Sequence, residues 1–242
     1  IPHYDADGTR IFIDETTLPS VPETVSQLLS RNLDNNYIAT YFPDVIINDE
    51  INNNRRTEVP ASVAVVGAYS QNDNYSPGGV WYAPAGFSRG SLSDVKNTTT
   101  RLSTNDRDEL YEARVNPIAN LPVANSNFVE YKIWGQKTQQ NSASALDRVN
   151  VRRMVLEVKR QVLQISRRLL FRRNNPRVRQ AFISAVSTRL TFIQAARGIE
   201  KFKIVMDDTN NTLLDQQQYR LNGSISIVPT RAIEFIAIDF II

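Results

Sequence analysis

One stretch of the sequence has the spacing of a catalytic nucleophile. Residues Gly86-Phe87-Ser88-Arg89-Gly90 match the G-x-S-x-G pattern of serine hydrolases, in which the serine attacks a carbonyl carbon. That chemistry needs a strand-to-helix turn at the serine, and then an acid and a histidine later in the chain. Here the flanking residues are typical of a loop, and the sole histidine, His3, precedes Ser88. We interpret the stretch as a tight loop and predict no catalytic residues.

Two acidic stretches carry oxygen ligands that a cation could use. Asp5-Ala6-Asp7-Gly8 resembles a calcium loop, but it lacks the third ligand before the glycine and the closing glutamate. Asp207-Asp208, followed by Asn210-Asn211, also fits a solvated turn that needs no ion. The absence of cysteine excludes disulfides and thiolate metal sites. The sequence therefore predicts no metal, no cofactor and no enzyme activity.

The composition is that of a folded protein with a sizeable core. The chain has 242 residues, of which 41% are hydrophobic, enough for one large domain or two small ones. The lack of cysteine fits folding in the cytosol. The longest apolar stretch, residues 235–242, is interrupted by Asp239 and is too short to span a bilayer, so we predict no membrane insertion. Because the chain begins with Ile1, we expect that it has been processed or trimmed.

Basic residues are concentrated in one segment. Between Arg148 and Arg179 the sequence has eleven Lys or Arg and one acid, Glu157. This segment has a net charge of +10, so the rest of the chain, at +3 overall, carries −7. Such a block can bind nucleic-acid phosphates, form solvated helix faces, or dock on an acidic protein surface. Phe171 and Phe182 are predicted to be core residues, and the residues alone leave these three interpretations open.

The apolar periodicity predicts a mixed α/β (α+β) fold with mixed β-sheets flanked by helices. The predicted helices cover 23–32, 60–69, 106–114, 149–171 and 178–196, and the second long helix presents Phe182, Val186, Leu190 and Ile193. The predicted strands cover 10–13, 44–48, 129–134, 202–206, 224–228 and 233–241. The segments 48–58, 71–105 and 136–144 are predicted to be exposed loops or connections. We place a domain boundary between residues 145 and 146.

The last predicted strand is apolar on both faces over much of its length. Its apolar residues are Ile233, Phe235, Ile236, Ile238, Phe240 and Ile242. A buried central strand would explain this pattern within one domain. Alternatively, the strand could complete the sheet of a neighbouring copy through main-chain hydrogen bonds.

Several motifs together resemble one family. Trp81-Tyr82-Ala83-Pro84-Ala85-Gly86 resembles the Trp-x-Ala-Pro-Ala-Gly loop of contractile tail sheath proteins of tailed bacteriophages. Val115-Asn116-Pro117-Ile118 and Ile133-Trp134-Gly135-Gln136-Lys137-Thr138 are similar to further segments of that family, in the same order. Val149-Asn150-Val151-Arg152-Arg153 resembles the start of its long helix, and 207–235 its C-terminal strands. The family's Phe-Glu-Pro-Asn after the long helix is replaced by Phe171-Arg172-Arg173-Asn174, which makes this turn more basic.

The resemblance implies a fold and a mechanical function. Residues 1–145 would form part of a subtilisin-like, non-catalytic sheath domain, and 146–242 a C-terminal domain with two long helices on a small sheet. The chain would be a core fragment of a sheath subunit that polymerises around a tail tube and contracts to drive the tube through the host envelope. Its implied partners are copies of itself, the tail tube protein, and baseplate and tail terminator proteins. It would reside in the virion, and in the host cytoplasm during assembly.

This resemblance favours a protein partner for the basic segment over nucleic acid. We expect a cluster of arginines to face an acidic tube or neighbouring sheath surface: Arg167, Arg168, Arg172, Arg173, Arg177 and Arg179. We expect the apolar terminal strand to be a second contact between subunits. The alternative function is that of a nucleic-acid-associated structural protein that uses the basic segment.

Overall fold

The computed structural model describes residues 20–51, 53–75, 79–123 and 128–234. The chain forms two compact units, one up to residue 152 and one from residue 153 onward. This division lies inside a long helix, whereas the predicted domain boundary between 145 and 146 lies just before it. The division into the two predicted domains stays a prediction.

The helices of the first unit begin at strong local signals. They are α1 (Val21–Ser30), α2 (Ala61–Asn74), the short α3 (Gly86–Arg89) and α4 (Thr104–Glu112). Ser20 and Glu23 form a capping box at the start of α1, and Ser103 and Asp106 form one at the start of α4. At α2, the Asp44 carboxylate accepts the Ala61 N–H at 3.1 Å. The predicted helices in this unit are therefore confirmed, with α2 longer than expected.

Two three-stranded sheets complete the first unit. Strands β1 (Thr40–Phe42), β5 (Val115–Pro122) and β6 (Val129–Ile133) form one sheet, in which β1 and β5 are parallel and β5 and β6 antiparallel. Strands β2 (Val45–Asp49), β3 (Arg55–Val59) and β4 (Val95–Thr98) form an antiparallel sheet with β2 in the centre. The mixed α/β class is thus confirmed for the described residues.

Four of these strands lie outside the predicted ones: β1, β3, β4 and β5. Strand β3 lies in the predicted loop 48–58, and β4 lies in the predicted loop 71–105. Strand β5 contains Pro117, whose missing N–H weakens any strand signal. Its carbonyl still accepts the Trp134 N–H at 2.8 Å. Pairing with distant partners therefore outweighs poor local strand propensity in these segments.

The core of the first unit lies on both sides of β5. Val45, Val65, Ile118 and Ile133 belong to one buried cluster, which joins both sheets to α2. A second cluster joins α1 and α4 to the sheet through side chains that include the fully buried Leu110. Burial of these side chains fixes the elements that carry the polar motifs described below.

The second unit has a helix pair and a small sheet. It contains most of α5 (Val149–Arg167), all of α6 (Pro176–Ala195), β7 (Ile199–Val205), the short α7 (Leu213–Gln217) and β8 (Ser224–Pro229). Strands β7 and β8 pair antiparallel, and α6 packs against β7. The predicted inner face of α6 is confirmed, because all four of its apolar residues are buried: Phe182, Val186, Leu190 and Ile193. Helix α6 ends where Arg197 adopts positive φ and Gly198 N–H bonds to the Ile193 carbonyl.

Three expectations about burial and chain course need correction or lie outside the described residues. Phe171 is fully exposed in the turn after α5, which ends before the predicted residue 171. The first half of the predicted surface connection 136–144 is instead largely buried, whereas residues 141–144 are exposed. In the predicted terminal strand, Ile233 is exposed and lies outside any strand, whereas Phe235, Ile236, Ile238, Phe240 and Ile242 lie outside the described residues.

Candidate interaction surface

The serine of the G-x-S-x-G stretch has no catalytic surroundings in the described part of the chain. Ser88 is exposed on α3, a single helical turn, and no histidine is among the described residues. Arg89 lies over the rings of Tyr75 and Tyr82 and donates to Asn72, so its role is packing. A Cβ at Gly90 would lie 2.7 Å from the Ile133 carbonyl oxygen. The stretch is thus a tightly packed turn against β6.

The two candidate cation loops give no metal site in the described residues. Asp5 and Asp7 lie outside them. The Asp207 carboxylate accepts the backbone N–H and the hydroxyl of Thr209, which lowers the pKa of Asp207. Asn211 donates to the Asp207 and Asn222 carbonyls. The side chains of this turn therefore satisfy one another, and no group of acidic or histidine side chains suited to a metal occurs in the described ranges.

The Asn-Pro-Ile and Gly-Gln-Lys-Thr motifs meet in a buried polar network. The Asn116 amide donates to the Thr40 and Lys137 carbonyls at 3.1 and 2.8 Å, and its oxygen accepts the Lys137 N–H at 2.6 Å. Gln139 donates to the Arg114 carbonyl at 2.8 Å. Asn116 is 0% exposed. These bonds join β1, β5 and the segment after β6. They correct the predicted surface connection 136–144 for residues 136–140, whereas residues 141–144 are exposed as predicted.

The remaining motif residues also hold the backbone. Lys137 donates to the Tyr111 carbonyl at 2.8 Å and lies 3.8 Å from the centre of that ring. Asn150 donates to the Trp81 carbonyl at 3.1 Å. A Cβ at Gly135 would come within 2.9 Å of the Asn116 amide oxygen. The lack of a side chain at Gly135 therefore lets its backbone pack closely against Asn116. These five motif residues are therefore structural: Asn116, Gly135, Lys137, Gln139 and Asn150.

In contrast to this buried network, the turn between α5 and α6 is exposed to solvent. We define the basic turn as residues 167–177, which contain five arginines and no acid. All five are exposed: Arg167, Arg168, Arg172, Arg173 and Arg177. Phe171 lies at the tip with φ 64° and a fully exposed ring, and Leu170 beside it is 65% exposed. Exposed apolar side chains rimmed by charged residues are typical of an interaction site.

Two local features position the basic turn. Arg167 is the last residue of α5 and Arg168 follows it, at the helix end where the dipole favours positive charge. Asn175 caps α6 by accepting the Val178 N–H at 2.9 Å, and Pro176 follows at the first helical position. The basic side chains therefore project from a turn whose two ends are fixed.

Arg179 does not share this exposure, contrary to the sequence-based expectation. It is 5% exposed, and its guanidinium donates to Asp208 at 2.7 Å and to Asn174 at 3.1 Å. Asn174 in turn donates to the Arg220 carbonyl at 3.3 Å. Arg179 thus ties the basic turn to the loop after β7 and is not available to a partner. Arg179 lies on the buried side of α6, whereas Arg177 lies on its exposed side. A count of charges along the sequence does not distinguish the two sides.

Two features differ from the sequence-based expectation, one in the basic turn and one in the Asn116 network. Phe171 was assigned to the core because it follows Leu169 and Leu170, but the helix ends first and positive φ turns it outward. The Gln136–Gln140 segment was assigned to the surface because amide side chains are usually exposed. A signal for the latter was present, since the segment coincides with a family motif.

Comparisons with known proteins agree with the fold and the motifs. The family described as Phage tail sheath C-terminal domain matches residues 141–242. The tail sheath protein of Vibrio phage KVP40 is 32% identical over 237 residues, which are 97% of this chain and 33% of that protein. The tail sheath protein of Enterobacteria phage T4 is 30% identical over 185 residues, 76% of this chain and 27% of that protein.

Solved structures of contractile systems share the fold. The sheath complex of an extracellular contractile injection system, PVC, in its contracted state has a TM-score of 0.77 and 19% identity, and the match covers 93% of this chain and 61% of that one. The helical sheath of the anti-feeding prophage in its contracted state has a TM-score of 0.71 and 20% identity, covering 86% of this chain and 56% of that one. The fold is that of contractile sheath proteins.

The family follows from the ordered motifs, the matched domain and the identities over most of the chain. The chain belongs to the phage tail sheath proteins, a family of structural proteins. It spans about a third of the length of the curated relatives that it matches. In the part of the chain that the structure describes, no helix has both the length and the apolar content needed to cross a membrane.

Proposed function

We propose that the protein is a structural subunit of a contractile phage tail sheath. In this proposal it polymerises around the tail tube and contracts to drive the tube through the host envelope. The observation that carries the proposal is the 32% identity to a tail sheath protein over 97% of the chain. The protein would lie in the virion tail, and in the host cytoplasm before assembly. Its partners would be copies of itself, the tube protein, and baseplate and terminator proteins.

No catalysis is required for this function, because the energy of contraction is stored in the assembled state. Membership of a family of structural sheath proteins supports this part of the proposal. A fluorophosphonate probe labels activated serines, so we expect it to leave Ser88 unlabelled. Labelling of Ser88 would contradict this part of the proposal.

The basic turn is proposed to face an acidic tube or neighbouring sheath surface. Exposed ion pairs contribute only about 0.2–1 kcal/mol each and weaken with salt. Such weak contacts suit a surface that must release during contraction, and repetition along the tail would make them adequate together. Arg179 is excluded from this surface because it is buried against Asp208.

Reversing two charges of the basic turn tests this contact. We expect the double substitution Arg172→Glu and Arg173→Glu to raise the concentration needed for tail assembly about tenfold, because attraction becomes repulsion at two positions. Electron microscopy of assembled tails measures the effect. The matched control is Arg55→Glu with Arg56→Glu on β3, which changes the charge equally at two adjacent exposed positions outside the proposed contacts. Equal assembly of both double variants would remove the basic turn from the mechanism.

The apolar C-terminal residues are proposed as a strand that contacts a neighbouring subunit: Ile233, Phe235, Ile236, Ile238, Phe240 and Ile242. Supporting this proposal, β7 and β8 form only a two-stranded sheet among the described residues, which leaves main-chain groups for an added strand. Deleting residues 240–242 should weaken polymerisation more than it lowers the free energy of unfolding. The reverse result would make the strand part of the subunit's own core.

One observation favours a second candidate function, that of a nucleic-acid-associated structural protein. The exposed Phe171 ring among five arginines has the chemistry of a base-stacking platform, where each stacked base contributes about 1–3 kcal/mol. A gel shift at increasing salt separates the two functions. A sheath subunit should bind nucleic acid weakly and without dependence on Phe171. Strong binding that the Phe171→Ala variant loses would support the second function.

A further inference from the structure

A basic cleft lies between α5 and α6, on the side of the helix pair lined by Arg160, Arg168 and Arg189. Its volume is about 330 Å³, far more than the roughly 30 Å³ that a water molecule occupies in the liquid. Gln161 and Gln164 add amide groups at its wall. The lining contains no acidic residue, so the cleft is suited to anionic groups that can accept several hydrogen bonds.

The arginines of the cleft are not equivalent. Arg160 is engaged by Glu157 through two hydrogen bonds of 2.7 and 2.6 Å, and Gln161 donates to the same carboxylate at 2.6 Å. Arg168 and Arg189 are exposed and have no carboxylate partner within the described ranges. The guanidinium groups of Arg168 and Arg189 are therefore left for a ligand, whereas that of Arg160 is engaged within α5.

The described residues contain a matching acidic surface on α4. Asp108, Glu109 and Glu112 are exposed and are three or four residues apart around Glu112, so they share one helix face. Leu110 on the other side is fully buried, which fixes this face outward. None of the three carboxylates has a cationic partner among the described residues, whereas Asp106 is used to cap the helix. Like charges at this spacing repel, so a cationic partner would relieve them.

We propose that the cleft of one copy binds the acidic face of α4 of the next copy. Arginine forks bind carboxylates in a two-bond geometry, which Arg160 already adopts with Glu157 along α5. The contact joins two different surfaces of the same chain. Such a heterologous contact does not end at a dimer, because each added copy again presents one free surface. Repetition of the contact generates a ring or a helical array. The inference rests on the proposed sheath function and names one of its subunit contacts.

Charge exchange between the two surfaces tests the contact in the purified protein at its natural length. Variant one carries Arg168→Glu and Arg189→Glu, and variant two carries Asp108→Lys and Glu112→Lys. Each should raise the concentration needed for helical assembly about tenfold, as seen by sedimentation and electron microscopy. An equimolar mixture of the two variants should assemble, since each offers the surface that the other lacks. All four substitutions in one chain should also restore assembly.

The controls separate folding, this contact and the proposed function. All four positions are exposed, so thermal unfolding of each variant should stay close to wild type. If a variant does unfold, Arg168→Gln with Arg189→Gln provides the milder change. Assembly of variant one like wild type, or a loss that neither the mixture nor the fourfold exchange restores, overturns the contact while the sheath function stands. A wild-type protein that never assembles overturns the function itself.

Discussion

Two regions of this protein are rich in polar residues, but one is buried and the other is exposed. The Asn116 network contains amides and a lysine, and it lies fully inside the first unit. The basic turn of the second unit is equally polar, yet its five arginines remain in water. In the network each group has a backbone partner from another element. Among the arginines from residue 167 to residue 179, Arg179 alone is buried, and its partners are the side chains of Asp208 and Asn174.

The network consists largely of residues that match the family's motifs, whereas the basic turn contains the stretch that departs from them. The buried motif residues Asn116, Lys137 and Asn150 hold strands and loops together, so their role is in the fold. The basic turn departs from the family pattern, and its side chains are free to determine what the surface binds. A motif match therefore identifies the scaffold, whereas the exposed departures are the better place to look for specificity.

The largest effect is expected inside the network. Asn116→Ala should lower the free energy of unfolding by about 3 kcal/mol or more, because it leaves the Thr40 and Lys137 carbonyls and the Lys137 N–H without their buried partner. Urea unfolding followed by circular dichroism measures the change. A loss below about 1 kcal/mol would mean that water replaces the amide, and that the network is less closed than its burial indicates.

A smaller effect is expected at Arg179, which follows the basic turn in sequence but is buried and hydrogen-bonded like the network. Arg179→Ala should lower the free energy of unfolding by about 1–2 kcal/mol, through the lost bonds to Asp208 and Asn174 and the lost packing. This value is modest because Asp208 is exposed and water solvates it. The matched control is the exposed Arg177→Ala, expected to stay within about 0.5 kcal/mol. Equal effects at both positions would erase the distinction between inner and outer arginines.

The smallest effect concerns acid stability on the surface of α5. Hydrogen bonds from Arg160 lower the pKa of Glu157 from its usual 4.5. A lowered pKa in the folded state stabilises the protein above the unfolded value, and this contribution disappears as the pH falls through the folded value. Wild type should therefore lose stability below pH 4.5 more steeply than Glu157→Gln, by less than about 1 kcal/mol because Arg160 is exposed. Parallel pH curves for the two proteins would contradict the role of this pair.

Much of the helical structure was predictable because its signals are local. Capping residues, a proline at the first turn and apolar residues at helical spacing lie within a few positions of one another. The predicted inner face of α6 was right for this reason. The mixed fold class and the family were also predictable, the latter from the order of several short motifs. The surface excess of positive charge in the second unit follows from counting residues alone.

Sequence by itself thus determined the helices, the charge distribution and the family of this protein. Tertiary structure alone decided which polar groups are buried: the Gln139 amide meets Arg114 of a distant segment, and the Arg179 guanidinium meets Asp208 across a loop. It also decided that β5 forms despite Pro117, and that Phe171 points into water. The physical reason is that periodicity is set by neighbours along the chain. Burial of a polar side chain is favourable only when a distant element supplies its hydrogen-bond partner.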